Sequence, residues 1–465
     1  MRKIKNIFKI SVLSIGMLFM NSCEDQLEIL PNSNVIADVA FTSVDDLQLA
    51  LNGLYLTHNT APIEFNSIFS DNARIGIDNG GQDLQLLNFL LNPSDGIVGN
   101  MWTSRYLMVN RASRIIEASE IIEFDASERA RVNDILGQAY ALRALGHFEL
   151  FQYFTPDYNN GDGLSVPAVD FVVTTENLPR NTVDEVMTLI DADLATSSSL
   201  LDNSRTDNIF ITQDFITALR ARKALFTGEY ATALTEANKL IAKYPLANQL
   251  QYEDMWFDAD ETEVIFKFAR VQGNAGVGFI WHFGGGGPTI EMSKELFDIL
   301  DANQDDIRYI SLLNDERLSE DVYLIGKYPR LPGLEFLRDI KIFRVSEMHL
   351  IKAEAEVRAN NFAAAAGTLK MIRDARFGQA TVAPNITDVN SGLDFIFEER
   401  RLELAYEGHR WLDHKRLGRN IERIADDCNN LDNACVLPSS SERFTFPIPV
   451  VEINANENMV QNPGY

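Results

Sequence analysis

Two stretches of the sequence share one spacing of small and large residues, and this repeat limits the possible folds more than any other feature. Residues 221–245 carry alanines at the packing positions of a tetratricopeptide repeat, with Gly228 where the chain must turn. Residues 353–372 show the same spacing, with Asn360 at the turn. Small residues let paired helices approach, an aromatic residue fills the gap between them, and glycine or asparagine reverses the chain. The repeat therefore predicts a mainly α fold with a tetratricopeptide-like helical-repeat scaffold.

Hydrophobic periodicity predicts further helices earlier in the chain. A first helix follows the cap residue Thr42 or Ser43 and has two aspartates in its first turn. Apolar positions on one face predict a second helix across residues 102–115, a third from about 127 to 153 and a fourth from about 182 to 195. Their spacing alone does not assign these helices to the repeat.

Residues 246–340 interrupt the helical pattern. Glu263–Phe268 has the composition of a strand, and glycine-rich loops follow at 273–278 and 284–287. Aromatic side chains are scattered among these loops, and loops carried by a rigid scaffold commonly form binding surfaces. We therefore expect an irregular, loop-rich, ligand-binding insertion with a few short strands.

The N-terminus has the features of a lipoprotein export signal. Basic residues precede an apolar run from Ile10 to Met20, which is too short to span a bilayer, and Ser22 then precedes Cys23. A small residue directly before a cysteine is what lipoprotein processing requires, although Met20 stands where leucine is commonest. We expect residues 1–22 to be removed and Cys23 to carry the lipid. An ordinary secretory signal followed by a chance cysteine is the alternative.

These features predict the organisation of the whole chain. The expected segments are a signal peptide at 1–22, a lipidated tether at 23–40 and a single domain at 41–465. Within that domain we expect helical repeats at about 41–245 and 341–420, with the insertion at about 246–340 between them.

The other two cysteines, Cys428 and Cys435, lie close together in a polar stretch. In an exported protein such a pair is a plausible disulfide, although spacing does not show that its geometry is right. No histidine is suitably spaced nearby, which disfavours a zinc site.

The net charge bounds the possible partners. The chain carries a formal charge of −26, and removal of a basic signal peptide makes it more negative. Such a surface repels phosphate backbones and anionic glycans, so a nucleic-acid partner is not expected. It favours neutral ligands, unless a local basic patch overrides the average.

Motifs for cofactors, metals and catalysis are weak. The glycines in 273–278 do not have the spacing of a dinucleotide fingerprint. Residues 301–306 alternate oxygen ligands as a calcium loop does, but the glycine is missing and Leu312 replaces the final glutamate. An acidic turn is favoured there, with a bound cation as the alternative. No Ser-His-Asp elbow, HExxH pair or phosphate loop is present, so no catalytic residue, metal or cofactor is predicted.

A charged helix near the C-terminus has two interpretations. Residues 398–416 place glutamates, arginines and histidines among apolar residues, and carboxylates beside histidine can perform acid–base chemistry. Attractive and repulsive neighbours alternate along this helix, and we favour ion pairing to neighbouring elements as the explanation. An extended segment follows at 444–449, where Pro447 and Pro449 exclude a helix.

The charged helix, the segment at 444–449 and the ending at 461–465 together resemble the C-terminal end of the SusD/RagB family of outer-membrane nutrient-binding lipoproteins. The lipoprotein start, the residues around Asp71 and the helix around Trp102 extend the resemblance over the whole chain. It implies two further helix pairs before residue 205. It also implies a cell-surface protein that captures oligosaccharide without catalysis and delivers it to a SusC-like TonB-dependent transporter.

A sugar-binding surface combines flat aromatic faces with fixed polar groups, and two regions supply them. Ligand contacts in the family come from comparable regions, without an invariant motif. The first region is a polar loop with candidate residues Asp71, Arg74, Asp78, Asn79 and Gln82. The second is an aromatic stretch with candidate residues Trp281, His282, Tyr309 and Tyr323. Trp281 is the preferred stacking platform, and a core tryptophan is the alternative.

Other classes of function stay open on the sequence. A RagB-like subset of the family takes peptides in place of sugars. A surface enzyme that degrades glycans or processes peptides is a further alternative, as is a structural or adhesion lipoprotein without a small ligand.

Overall fold

The computed structural model describes residues 41–274, 276–281, 287–329, 337–429, 431 and 434–465. The predicted signal peptide, the tether with Cys23, and His282 lie outside these residues. Residues Ser43–Tyr465 form one compact unit, which is mainly helical with a few short strands, and the predicted fold class is confirmed.

The elements are numbered in chain order. The helices are α1 (Val44–Tyr55), α2 (Ala61–Ile68), α3 (Leu84–Leu87), α4 (Gly96–Ile121), α5 (Arg129–Phe154), α6 (Val183–Leu200), α7 (Gln213–Phe226), α8 (Tyr230–Ile241), α9 (Gln249–Trp256), α10 (Lys294–Asp301), α11 (Arg308–Leu312), α12 (Val345–Arg358), α13 (Phe362–Phe377), α14 (Val389–Glu403), α15 (Arg410–Leu417), α16 (Ala425–Cys428) and α17 (Val450–Ala455). The strands are β1 (Ala73–Ile75), β2 (Val264–Phe268), β3 (Ile290–Met292), β4 (Leu313–Asn314), β5 (Leu324–Ile325), β6 (Ile340–Arg344), β7 (Ile421–Glu422) and β8 (Val436–Leu437).

The long helices pack side by side as the repeat predicts. Helix α5 packs against α4 and α6, α7 pairs with α8, α8 packs on α12, and α12 contacts α13 and α14. Helix α1 begins at the predicted cap, because the Ser43 hydroxyl accepts a hydrogen bond from the backbone N–H of Asp46. Within the described ranges, no helix combines the length and apolar character needed to cross a bilayer.

The two stretches with repeat spacing form the helix pairs α7–α8 and α12–α13. The turn residues Gly228 and Asn360 have φ angles of +74° and +59°, a conformation that glycine and asparagine tolerate best. The small residues Ala221, Ala233 and Ala365 are fully buried between the helices. The pairs therefore close as their spacing predicts.

The strands form short antiparallel pairs. Strand β2 pairs with β6, β4 with β5 inside the insertion, and β7 with β8 near the C-terminus. Strand β1, from the polar loop, pairs with β3, from the insertion, so that Ala73 lies opposite Met292. This last pair brings together the two regions that the sequence marks as candidate binding sites.

The predicted charged helix at 398–416 is two helices, because α14 ends at Glu403 and α15 begins at Arg410, with Tyr406 and Gly408 at positive φ between them. Most carboxylates of this charged C-terminal block are buried and paired with basic residues from other elements. Glu403 contacts Arg344 of β6 and Arg376 of α13 at 3.0 and 2.8 Å, and both arginines also contact Glu263. Burial opposes ionisation of Glu403, but the two arginines outweigh burial and hold its pKa well below the usual value. Ion pairing between elements, as the sequence predicts, accounts for this block.

The structure joins the two neighbouring cysteines of the C-terminal region. Cys428, at the end of α16, and Cys435, just before β8, form a disulfide with their Cα atoms 5.3 Å apart. The bond links two consecutive short elements beside the β7–β8 pair.

Candidate functional site

A cleft of about 380 Å³ opens in the insertion, between the end of α9, the turn Val277–Ile280, α11 with β4, and β5. This volume falls within the usual range for small-ligand sites, about 300–1,000 Å³. Its aromatic lining residues are Trp256, Phe257, Trp281, Tyr309 and Tyr328. Its charged lining residues, within the described part of the chain, are Glu253, Asp315, Glu316 and Arg317.

Three of the aromatic residues form a buried wall of the cleft. Trp256 and Tyr328 meet edge to face with their ring centroids 5.4 Å apart, and the Lys327 ammonium lies 4.2 Å from the Trp256 centroid. Tyr328 has a φ of +63°, which is unusual for a residue with a side chain. Because Tyr328 and Lys327 both pack on Trp256, the protein itself occupies much of the face of this ring.

Trp281 also belongs to this wall. Its side chain is 1% exposed, and its ring packs edge to face against Tyr406 with the centroids 5.3 Å apart. A stacking platform needs an open ring face, and the structure leaves little of Trp281 open. Stacking of a ligand on Trp281 stays a prediction. The observed packing of Trp281 is that of a core tryptophan, the alternative given by the sequence.

Two other aromatic rings at the cleft are accessible. Phe257 is 39% exposed and Tyr309 is half-buried. Burial and the nearby Asp301 and Asp315 raise the pKa of the Tyr309 hydroxyl, and this hydroxyl donates its hydrogen bond to the Asp301 carboxylate. Tyr309 is thus the predicted aromatic site residue that combines a position at the cleft with exposure.

The polar loop contacts the edge of the cleft through Asp78, which pairs with the lining residue Arg317 but does not itself line the cleft. The Asp78 carboxylate accepts a hydrogen bond from Arg317 at 3.2 Å, and its backbone N–H donates to the carbonyl of Pro288. Gly287 lines the cleft beside it, and a Cβ atom there would lie 1.6 Å from an Asp78 oxygen. A residue without a side chain is therefore needed for this close approach.

Asn79 and Gln82 shape the same loop but do not line the cleft. The Asn79 amide donates to the carbonyls of Gln82 and Thr289, at 2.9 and 2.8 Å. The Gln82 side chain accepts from the backbone N–H of Gly80 at 2.6 Å. Both amides hold the loop against the segment before β3.

Asp71 lies in the supporting core, not in the lining of the cleft. Its carboxylate accepts hydrogen bonds from Arg410 at 2.6 and 2.7 Å and lies 3.3 Å from His414. Burial opposes its ionisation, but Arg401, Arg410 and His414 outweigh burial and hold its pKa well below the usual value. The charged C-terminal block covers Asp71, and a ligand contact by Asp71 stays a prediction.

Arg74 and Tyr323 pack on each other and are also absent from the lining. The Arg74 guanidinium pairs with Glu291 at 2.8 Å and lies 4.4 Å from the Tyr323 ring centroid. The other face of Tyr323 stacks on Phe297 at 4.2 Å, and the side chain is buried. Both faces of this ring are therefore used inside the protein, and a ligand contact by Tyr323 stays a prediction.

Several residues of the cleft were not predicted as site residues. Glu253 lies in α9, and Phe257 directly follows that helix. A charged turn after β4 supplies Asp315, Glu316 and Arg317. The run of three charged residues in an aromatic-rich insertion was the available signal. No group of three or more potential metal ligands is arranged for a cation in the described ranges.

The helical scaffold and the loop-built cleft define a helical-repeat protein whose insertion forms a cleft. Two family models match the chain: "SusD family" over residues 337–465, and "Starch-binding associating with outer membrane" over residues 25–222. Together they match more than half of the chain. The chain belongs to the SusD/RagB family.

Full-length relatives agree with this assignment. SusD-like protein P38 of Formosa agariphila is 25% identical, and the match covers 100% of both chains. SusD-like protein P2 of the same organism is 26% identical, covering 98% of this chain and 99% of the relative.

Solved structures share the fold. A SusD superfamily protein from Bacteroides thetaiotaomicron superposes with a TM-score of 0.80 at 25% identity, covering 91% of this chain and 100% of that one. One from Bacteroides vulgatus gives the same TM-score, identity and coverage. Surface glycan-binding protein A from B. thetaiotaomicron, solved with laminarihexaose, has a TM-score of 0.72 at 20% identity, covering 90% and 99%, and shows likeness of fold.

Proposed function

We propose that the protein is a non-catalytic glycan-binding lipoprotein of the cell surface. Lipid on Cys23 anchors it in the outer membrane, and the body captures oligosaccharide for a SusC-like TonB-dependent transporter. Membership of the SusD/RagB family supports this proposal, as does the match to a family model described by starch binding and the outer membrane. A relative in fold was solved with laminarihexaose bound.

The cleft is the observation that carries the proposal. It combines partly exposed aromatic rings, Tyr309 and Phe257, with carboxylates and one guanidinium. Ring faces pack against the C–H faces of a pyranose, and charged or polar groups accept or donate hydrogen bonds to its hydroxyls. Such a site holds a sugar without a covalent step.

Capture and delivery need reversible binding. The rigid helix pairs fix the position of the cleft, and Gly287 lets the Asp78 carboxylate approach the backbone beside Arg317. In the proposed function, the ligand is held on this surface and then handed unchanged to the transporter.

Replacement of Tyr309 tests the cleft. Tyr309→Ala should weaken binding of a recognised oligosaccharide roughly threefold to tenfold, because an aromatic contact is lost. Isothermal titration with a panel of oligosaccharides measures the change. Tyr244→Ala is the matched control, since Tyr244 lies at the end of the α7–α8 pair, away from the cleft, and bonds Asp214. Equal affinity of wild type and Tyr309→Ala would contradict the role of this ring.

The same titrations separate the other classes of function. A peptide panel run in parallel would, on binding, favour a RagB-like peptide carrier. Release of shorter products from polysaccharides by the purified protein would favour an enzyme. Affinity for neither ligand, with stable co-purification of a barrel protein, would favour a structural role.

The lipid anchor has its own test. Cys23→Ser should move the protein from the membrane fraction to the soluble fraction, because the thioether cannot form. Fractionation followed by immunoblotting measures this. Retention of the variant in the membrane would contradict anchoring through Cys23.

A further inference from the structure

We propose that the cleft is selective for uncharged oligosaccharides, and that Glu253, Asp315 and Glu316 reject glycans bearing carboxylate or sulfate groups. This inference rests on the proposed function and deepens it by naming the class of ligand.

The first argument is the charge of the lining. Glu253, Asp315 and Glu316 contribute three carboxylates to the cleft, and none of them forms an ion pair with another described residue. A cleft with low-dielectric walls concentrates the field of such charges. An anionic group on a ligand would enter a negative potential that no free cation of the described lining relieves.

The second argument is the state of the one basic residue in that lining. The Arg317 guanidinium contacts Asp78 at 3.2 Å and Glu320 at 2.8 Å. Two carboxylates therefore share its single positive charge. A ligand carboxylate or sulfate would have to displace these partners, and the displaced groups would add to the repulsion.

The carboxylates of the lining call for a ligand that donates hydrogen bonds. An ionised carboxylate only accepts hydrogen bonds, and sugar hydroxyls are donors as well as acceptors. A neutral polyhydroxylated ligand can therefore donate hydrogen bonds to the carboxylates of the lining without bringing charge into the cleft. An anionic group cannot donate to these carboxylates, and it brings like charge toward Asp315 and Glu316.

Matched ligands test the proposal directly. The mature protein is titrated with oligosaccharides of one backbone in neutral, uronate and sulfated forms, at about 50 and 500 mM salt. We expect the neutral form to bind at least tenfold more tightly than either anionic form at low salt. The difference should shrink at high salt, because salt screens the repulsion.

Charge removal assigns the selectivity to the cleft. Asp315→Asn combined with Glu316→Gln should narrow the difference between neutral and anionic ligands at least threefold, while neutral binding weakens only modestly because each amide oxygen still accepts. Glu123→Gln combined with Asp162→Asn is the matched control. It removes two exposed charges away from the cleft and should leave both affinities unchanged.

The outcomes distinguish the two proposals. Equal or tighter binding of an anionic form by wild type overturns this inference and leaves glycan binding intact. An unchanged preference in the double variant overturns the role of the carboxylates. Failure of every oligosaccharide to bind contradicts the proposed function, and the inference falls with it.

Discussion

The core and the cleft use the same charged residue types in opposite ways. In the core, Arg344 contacts three carboxylates and Arg376 contacts two, all of them buried. At the cleft, Glu253, Asp315 and Glu316 form no ion pair within the described part of the chain. The residue types are the same in both places. The core carboxylates differ from the cleft carboxylates in being buried and ion-paired.

The physical reason is the cost of removing a charge from water. A buried carboxylate must have cationic partners, because desolvation is otherwise too unfavourable. A solvated carboxylate has no such requirement and stays available to a ligand. The paired charges therefore hold β6, α13 and α14 together, and the unpaired ones give the cleft its selectivity.

Breaking the core network should have the largest effect. Glu403→Gln leaves Arg344 and Arg376 short of a buried counter-charge, and the free energy of unfolding should fall by about 3–5 kcal/mol. Urea unfolding followed by circular dichroism measures it. Glu398→Gln is the matched control on the same helix. Glu398 is exposed, so its loss should change stability by less than about 0.5 kcal/mol. Equal effects of the two variants would remove the distinction between paired and free charge.

A second buried carboxylate extends the comparison to pH. Burial raises the pKa of Glu149, but Arg105 and His58 outweigh burial and lower it to about 2 from an ordinary value of 4.5. A depressed carboxylate pKa stabilises the folded state above pH 4.5, and this contribution is lost as the pH falls from 4.5 toward 2. The wild type should therefore lose about 3 kcal/mol more than Glu149→Gln across that window. Urea midpoints at several pH values measure it, and parallel curves would contradict the prediction.

Local sequence predicted the helical scaffold, but not the partners of its charges. Turns at Gly228 and Asn360 and the small packing residues are encoded within each helix pair, so spacing alone identifies them. The charged C-terminal block was predicted to seek partners elsewhere. Which partners it finds could not be predicted, because Arg344 and Glu403 lie 59 residues apart and meet only in the folded chain.

The candidate site was predicted in its regions more than in its residues. The polar loop and the aromatic stretch meet through β1 and β3, across the 217 residues between Arg74 and Glu291. Aromatic composition does not reveal which ring face stays open. Trp281 is packed against Tyr406, whereas Tyr309 remains accessible. Long-range packing decides this, and no local pattern reports it.

The smallest effect on stability is expected at the cleft itself. Asp315→Asn combined with Glu316→Gln removes two exposed charges that form no ion pair in the described structure. The free energy of unfolding should change by less than about 0.5 kcal/mol. It should rise slightly if the adjacent Asp315 and Glu316 carboxylates repel each other in the wild type. Urea unfolding at low salt measures the change. A loss as large as that of Glu403→Gln would mean that these carboxylates support the fold, and the contrast between core and cleft would fail.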